Sequence, residues 1–263
     1  MATGNKDAML RMLNLGCGKR FHADWINVDF HSCAPEVQAC DLSCGLPFPD
    51  ADFDVVYHSH LLEHFPRRQG LELLRQCLRV LKPGGVLRCA VPDLEAMARQ
   101  YLVQLEGALA GDAQSRQRYE WIMLEMFDQM ARERSGGEML EHWKRQPMPA
   151  EDYVYERVGA EARQARAALR AAGKLRPAEA PAVEHPRPDA AALGAFRLSG
   201  EVHHWLYDRY SLARTLEQAG FVHPRPCRAD ESAIPGFNAY LLDIEPDGST
   251  RKPDSLFMEA VKP

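Results

Sequence analysis

Three groups of side chains in this 263-residue chain have the types and spacing to move a proton. His58-Ser59-His60 closes one apolar run, Asp93 follows another, and His203-His204 stands just before Trp205 and Tyr207. A histidine or a carboxylate is the natural base for a hydroxyl that must give up its proton. His60 is the foremost of these candidates. His203, His204 and Asp93 are the others. Asp93 also suits the N-cap of a helix starting at Leu94. Trp205 and Tyr207 could pack against a cationic centre or a sugar ring.

A base needs elements that hold it beside a reactant. The apolar run Met9 to Leu15 reads as a buried strand that enters the turn Gly16-Cys17-Gly18. Two glycines let the backbone bend sharply and let a ligand approach the main chain. A second short strand, Trp25 to Val28, ends at Asp29. In an open α/β sheet this places a carboxylate where it can take the two hydroxyls of a ribose. Lys19, Arg20 and Phe21 follow the bend, so the third glycine of a dinucleotide fingerprint is missing. Lys19 to Asp24 is also too short for a crossover helix whose N-terminus would cradle a pyrophosphate. A nucleoside cofactor without phosphates needs no such cradle, and S-adenosylmethionine fits. Gly16, Cys17 and Gly18 would hold its methionine part through backbone groups, with Asn14 and Leu15 leading in, and Asp29 would hold the ribose. A nicotinamide dehydrogenase fits this spacing less well.

Further strands are expected at Val37 to Cys40, Phe53 to His58 and Val86 to Val91. Leu61 to Leu81 has helical spacing broken at Pro66, and Lys82-Pro83-Gly84-Gly85 is a helix stop and turn. Strands alternating with helices imply a parallel sheet with helices on both faces. Leu94 to about Ala172 is helical in pattern, interrupted from Gly107 to Gly111. Tyr119, Ile122, Met123, Met126, Phe127 and Met130 form an apolar stripe whose ordinary use is a core. Lys174 to Asp189 reads as a flexible Pro-rich linker. Ser211 to Ala219 is an amphipathic helix ended by Gly220. A strand follows at Phe221 to Cys227. Ile234 to Leu242 holds a turn and a short extended piece, Asp247-Gly248 a hairpin turn, and Leu256 to Val261 a closing strand.

The ordered set Leu-Asn-Leu-Gly-Cys-Gly, Trp-Ile-Asn-Val-Asp, Leu-Pro-Phe-Pro-Asp, Phe-Asp-Val-Val, Leu-Leu-Glu-His and Leu-Lys-Pro-Gly-Gly resembles the signature of class I S-adenosylmethionine-dependent methyltransferases, methyltransferase-11 type. The likeness covers about residues 10 to 93 and resumes near 203. It implies an α/β, Rossmann-like three-layer sandwich with a seven-stranded, mostly parallel sheet in the order 3-2-1-4-5-7-6. The domain would be 1–93 plus 200–263, with 94–199 as a helical lid insertion ending in an Ala/Pro-rich linker at about 173–199. It also implies Asp41 and Leu42 beside the adenine and His58 at the pocket floor. Two positions depart from the pattern. Asn14 stands where an acid is usual and cannot pair with an ammonium, and Arg20 replaces the third glycine.

In some quinone O-methyltransferases that resemble this segment, two glutamates and a histidine bind a divalent cation. Here His60 takes the place of the first glutamate, and no metal is expected from Glu63 and His64. Cys33, Cys40 and Cys44 match no common zinc spacing. Net charge is 32 − 37 = −5, which gives no footprint for nucleic acid. No stretch approaches the length of a membrane span. A polar start at Met1 to Asp7 without an apolar core and an odd set of seven cysteines suggest reduced thiols and a cytoplasmic location. The expected activity is methyl transfer to an oxygen of a sugar, glycan or other hydroxylated small molecule. Natural-product O- or N-methylation is the neighbouring reading, and a non-catalytic cofactor-binding scaffold is the reading of another class.

Overall fold

The computed structural model describes residues 10–181 and 185–263. The polar start at Met1–Asp7, the Met9 end of the first run and residues 182–184 of the expected linker lie outside the described residues. One sheet contains β1 (Met12–Leu15), β2 (Ile26–Asp29), β3 (Val37–Ala39), β4 (Phe53–Ser59), β5 (Leu81–Pro92), β6 (Val222–Cys227) and β7 (Ser255–Val261). Its order is β3-β2-β1-β4-β5-β7-β6, as the resemblance implied. The first five strands are parallel, and β7 runs antiparallel to both β5 and β6. The Lys82–Gly85 turn is a bulge inside β5, where the register against β4 shifts.

One face of the sheet carries α1 (Arg67–Val80). Pro66 starts α1, since its missing N–H costs nothing at a helix start. Leu73, Leu74, Cys77 and Val80 recur at helical spacing and are buried against β1, β4 and β5.

Between β5 and β6 the chain forms α2 (Leu94–Leu109), α3 (Ala113–Ala131), α4 (Gly137–Trp143), α5 (Glu151–Val158), α6 (Ala160–Ala171) and α7 (Ala190–Arg197). It then returns as α8 (Arg209–Ala219), with Asp208 in a capping box and Gly220 as its C-cap. Leu212 and Leu216 of α8 are buried beside α1. Trp121, Met139, Tyr153, Val154 and Val158 give the inserted helices a core of their own. Buried Arg166 ties α6 to the end of α4, donating to the Trp143 carbonyl at 2.7 Å and the Arg145 carbonyl at 2.6 Å.

Several details differ from the sequence expectation. Gly107 does not interrupt α2, because its missing side chain admits Ser115 of α3: a Cβ there would lie 2.3 Å from Ser115 Oγ. The buried face of α3 is Trp121, Ile122, Glu125 and Asp128, so of the expected stripe only Ile122 is fully buried and Phe127 is exposed. The expected linker contains a two-residue strand, Arg176–Pro177, paired with Arg145–Gln146, and Asp189 caps α7.

The second face of the sheet has no α-helix among the described residues. The connections at 16–25 and 30–36 fall short of the dozen or so residues of a crossover helix. Segment 228–245 covers this face instead, with a 3-10 turn at Phe237–Tyr240 where an extended piece was expected. Ile234, Phe237 and Leu242 pack on Met12, Trp25, Val55 and Tyr57. Fully buried Arg88 of β5 holds the segment: its Nε donates to Asp243 at 2.7 Å and Nη1 to Glu259 at 2.9 Å. Its guanidinium lies 4.6 Å from the Phe237 ring.

Candidate functional site

The bend after β1 uses positive φ at Gly16 (62°) and Gly18 (51°), which side chains rarely adopt. That turn brings the Gly18 N–H to Asp29 Oδ2 at 2.8 Å, while the His31 N–H reaches Oδ1 at 3.3 Å. Asp29, at the end of β2, therefore stands directly against the bend, on the carboxyl edge of the sheet. The Cys17 N–H bonds the Val28 carbonyl at 3.2 Å and locks the two strands together. Burial, with the Asp29 charge behind it, pushes the Cys17 thiol up to about 12, so it stays protonated.

The flanking residues take structural positions. The buried Asn14 amide donates to the Arg20 carbonyl at 3.2 Å and to Asn27 Oδ1 at 3.1 Å. Its side chain therefore braces the turn from inside and does not face a ligand. Leu15 is in the core. Arg20 stands where a third glycine would, because its side chain reaches back to the Leu241 and Ile244 carbonyls at 2.7 and 2.9 Å. Asp41 caps the short turn Leu42–Cys44, accepting from the Ser43 hydroxyl and N–H, which hold its carboxyl below the usual range. The Leu42 side chain packs into the core rather than onto an adenine face. His58 lies within the sheet between Leu15 and Cys89, and burial lowers it to about 4, so the ring is neutral.

The expected bases separate. His60 follows β4 with φ of 50°, a left-handed conformation unusual for a residue with a side chain. Backbone strain of this kind concentrates at functional sites. Its ring lines a cavity of about 220 Å³ beyond the ends of β4 and β5, roofed by α2, α3 and α4 and walled by residues 252–254. His60 Nε2 is 2.7 Å from Ser255 Oγ, and Nδ1 is 3.3 Å from Glu63 Oε1. His203 lines the same cavity, brought there by the bond of its N–H to the Gln129 carbonyl at 3.0 Å. The His203 ring meets His64 edge to face at 4.7 Å. His204 is not among the residues that line the cavity; its N–H bonds the Glu63 carbonyl at 2.7 Å. Asp93 caps α2 by accepting from the Ala96 N–H at 3.0 Å, and its carboxylate is taken up in that role.

The cavity is strongly polar. Glu125 accepts from Trp121 Nε1 at 3.1 Å and pairs with Arg157, and Glu161 pairs with Lys252 at 2.9 Å. Burial raises the Asp254 carboxyl to about 7 and that of Glu63 to about 8. It lowers His64 to about 4 and His203 to about 2, and takes His60 well below the ordinary imidazole value. Lys252, His203, Arg251 and His64 deepen the His60 shift. All three rings are thus held neutral. Among the described residues, Glu63, His64 and His203 are the one group whose ligand atoms lie within 4.8 Å of each other.

Sequence reasoning missed Glu125, Glu161, Lys252 and Asp254 as parts of this cavity. Lys252 and Asp254 flank a proline just before the closing strand, and a charged run entering a buried strand was their only signal. Glu125 gave none, because its face of α3 interleaves with the apolar stripe.

Residues 27–89 match the family model described as a methyltransferase domain. The match spans about a quarter of the chain, and the sheet order above is the one the class I methyltransferase resemblance implied. The chain is 52% identical over 42 residues to 27-O-demethylrifamycin SV methyltransferase of Amycolatopsis mediterranei, covering 16% of this chain and 15% of that protein. It is 31% identical over 99 residues to a probable S-adenosylmethionine-dependent methyltransferase of Mycolicibacterium smegmatis, covering 31% of this chain and 38% of the relative. The chain thus spans well under half the length of these relatives. A solved S-adenosylmethionine-dependent methyltransferase from Archaeoglobus fulgidus aligns over 97% of this chain and 87% of its own, at 14% identity and a TM-score of 0.42. A likeness of that size carries no functional argument. No helix among the described residues is long and apolar enough to cross a membrane.

Proposed function

We propose that this chain is an S-adenosylmethionine-dependent methyltransferase acting on an oxygen of a sugar or other hydroxylated small molecule. One observation carries the reading: Asp29 stands 2.8 Å from the Gly18 N–H on the same sheet edge that, two strands over, opens into the cavity holding His60. In this reading the Asp29 carboxylate takes the ribose hydroxyls and the bend takes the methionine part through its backbone. The acceptor sits under α2, α3 and α4. These helices exclude water and align the two reactants. When bound, S-adenosylmethionine would supply an activated methyl group and leave as S-adenosylhomocysteine, and His60 would take the proton from the acceptor hydroxyl. The His60 ring, held by Ser255 at the cavity wall, is the candidate for that task on position.

The similarity to the Amycolatopsis mediterranei 27-O-demethylrifamycin SV enzyme favours a second acceptor class, a natural product methylated at oxygen or nitrogen. Seven free cysteines accord with a reducing, cytoplasmic setting. The test is transfer of labelled methyl groups from S-adenosylmethionine to a panel of sugars and polyhydroxylated aromatics. Transfer should fall steeply in His60→Ala while S-adenosylhomocysteine binding persists. Wild-type turnover in that variant overturns the base assignment, and binding of NAD in place of S-adenosylhomocysteine overturns the class.

A further inference from the structure

We propose that Glu63, His64 and His203 bind a divalent transition-metal ion of the zinc type at the wall of the acceptor cavity. Glu63 and His64 lie on the short turn after β4, and His203 arrives on the chain that returns from α7. The distance of 139 positions hides the group in the sequence. Their ligand atoms lie within 4.8 Å of one another, and His203 Nε2 is 3.9 Å from Glu63 Oε1. A tetrahedral ion with bonds near 2.1 Å holds neighbouring ligand atoms about 3.4 Å apart. The three side chains therefore need to close by only a fraction of an ångström to a little over one.

A second observation points to a ligand. The Glu63 side chain is fully buried, and neither carboxylate oxygen has a hydrogen-bond partner, nor has His64 Nδ1. Buried polar groups are almost always partnered, and a carboxylate alone in the interior is costly. A divalent cation would satisfy both carboxylate oxygens and the imidazoles together. The surroundings permit one. The nearby cations are already neutralised, Arg132 by Asp128 at 2.6 Å and Lys252 by Glu161 at 2.9 Å. Asp254 adds a further acid to the same cavity. His60 Nδ1, 3.3 Å from Glu63 Oε1, is placed to orient the carboxylate.

Two imidazoles and one carboxylate suit Zn²⁺ and its first-row neighbours, whereas Mg²⁺ prefers oxygen ligands. Both histidines line the cavity, so open coordination positions would face it. The ligand set stands on its own. Its use, polarising the acceptor hydroxyl for proton loss, rests on the methyltransferase reading.

The experiment is titration of the whole, chelator-treated chain with Zn²⁺, with Mg²⁺ as control. Co²⁺ absorbance gives a readout independent of activity. One Zn²⁺ per chain is expected, with a raised melting temperature and visible Co²⁺ bands. Glu63→Gln and His64→Gln should each weaken binding at least about tenfold, with folding checked by circular dichroism. His203→Gln replaces any variant that fails to fold. Absence of stoichiometric Zn²⁺, or binding unchanged by these substitutions and therefore owed to the free cysteines, overturns the site. S-adenosylhomocysteine titrated into the same samples separates the two proposals. Zn²⁺ binding without it keeps the metal site and removes the methyltransferase reading. S-adenosylhomocysteine binding without Zn²⁺ overturns the metal site alone.

Discussion

Replacing Arg88 with methionine should be among the most damaging single changes outside the site. Arg88 is fully buried and donates to Asp243 at 2.7 Å, Glu259 at 2.9 Å, and the carbonyls of Arg228 and Ala229 at 3.1 Å each. Methionine fills much of the space between Phe237 and Phe257 but leaves buried Asp243 without its cation and Glu259 with only the more distant Arg225, at 3.7 Å. Removing one partner of a buried ion pair costs about 3–5 kcal/mol. With Asp243 stranded and Glu259 held only by a more distant arginine, the upper end, about 5 kcal/mol, is the expected loss. That is a large share of the roughly 5–15 kcal/mol a domain holds in reserve. At about 2–4 °C per kcal/mol for a chain of this size, the melting temperature should drop by roughly 10–20 °C. The triple variant Arg88→Met, Asp243→Asn, Glu259→Gln removes the stranded charges and should recover at least half of that. Thermal melts followed by circular dichroism read both. A loss under about 1 kcal/mol, well below what a broken buried pair costs, or a triple variant no better than the single one, would refute the reasoning. The consequence reaches the site, because segment 228–245, which Arg88 anchors, leads into the carbonyls of Leu241 and Ile244 that hold Arg20 beside the bend.

Two further outcomes follow from packing and charge. Gly107→Ala should destabilise the chain, although alanine in a helix interior ordinarily gains about 1 kcal/mol over glycine, because the new Cβ would lie 2.3 Å from Ser115 Oγ and 2.7 Å from its Cβ. In a Ser115→Gly background the same change should stabilise, as read by melting temperature. Burial would raise the Glu141 carboxyl, but Lys144 and Arg176 outweigh it and hold the group below its ordinary value. A carboxyl with a depressed folded pKa contributes stability above its ordinary pKa, and that contribution is lost as pH falls through the folded value. The stability gap between wild type and Glu141→Gln should therefore shrink as pH drops from about 6 to about 3, the carboxylate range. A gap constant with pH would show that the pairing adds nothing.

The parts of the molecule legible in its sequence were those written in short range. The glycine bend, the acid eleven residues on and the Pro66 break depend on near neighbours in the chain, whereas the strand order came from the family resemblance. Arg20 was read as a departure, and only the fold shows that its side chain serves a loop more than two hundred residues away. The α3 stripe misled because the buried face there is chosen by a polar cavity as well as by a core. The missing helical layer on the second face had a visible cause in the short connections, but not a visible substitute. The cluster at Glu63 and His64 became a group of three only when the returning chain delivered His203.

The most direct test of the central claim is calorimetric titration of the whole chain with S-adenosylhomocysteine, beside Asp29→Asn. One equivalent should bind the wild type. The asparagine keeps an acceptor for the Gly18 N–H but loses the charge, and hydrogen bonds to charged groups are worth about 1.5–3 kcal/mol. Affinity should fall by about 10- to 150-fold while the melting temperature of the free chain stays nearly unchanged. No binding by the wild type, or equal binding by the two proteins, would contradict a cofactor cleft built from the bend and Asp29.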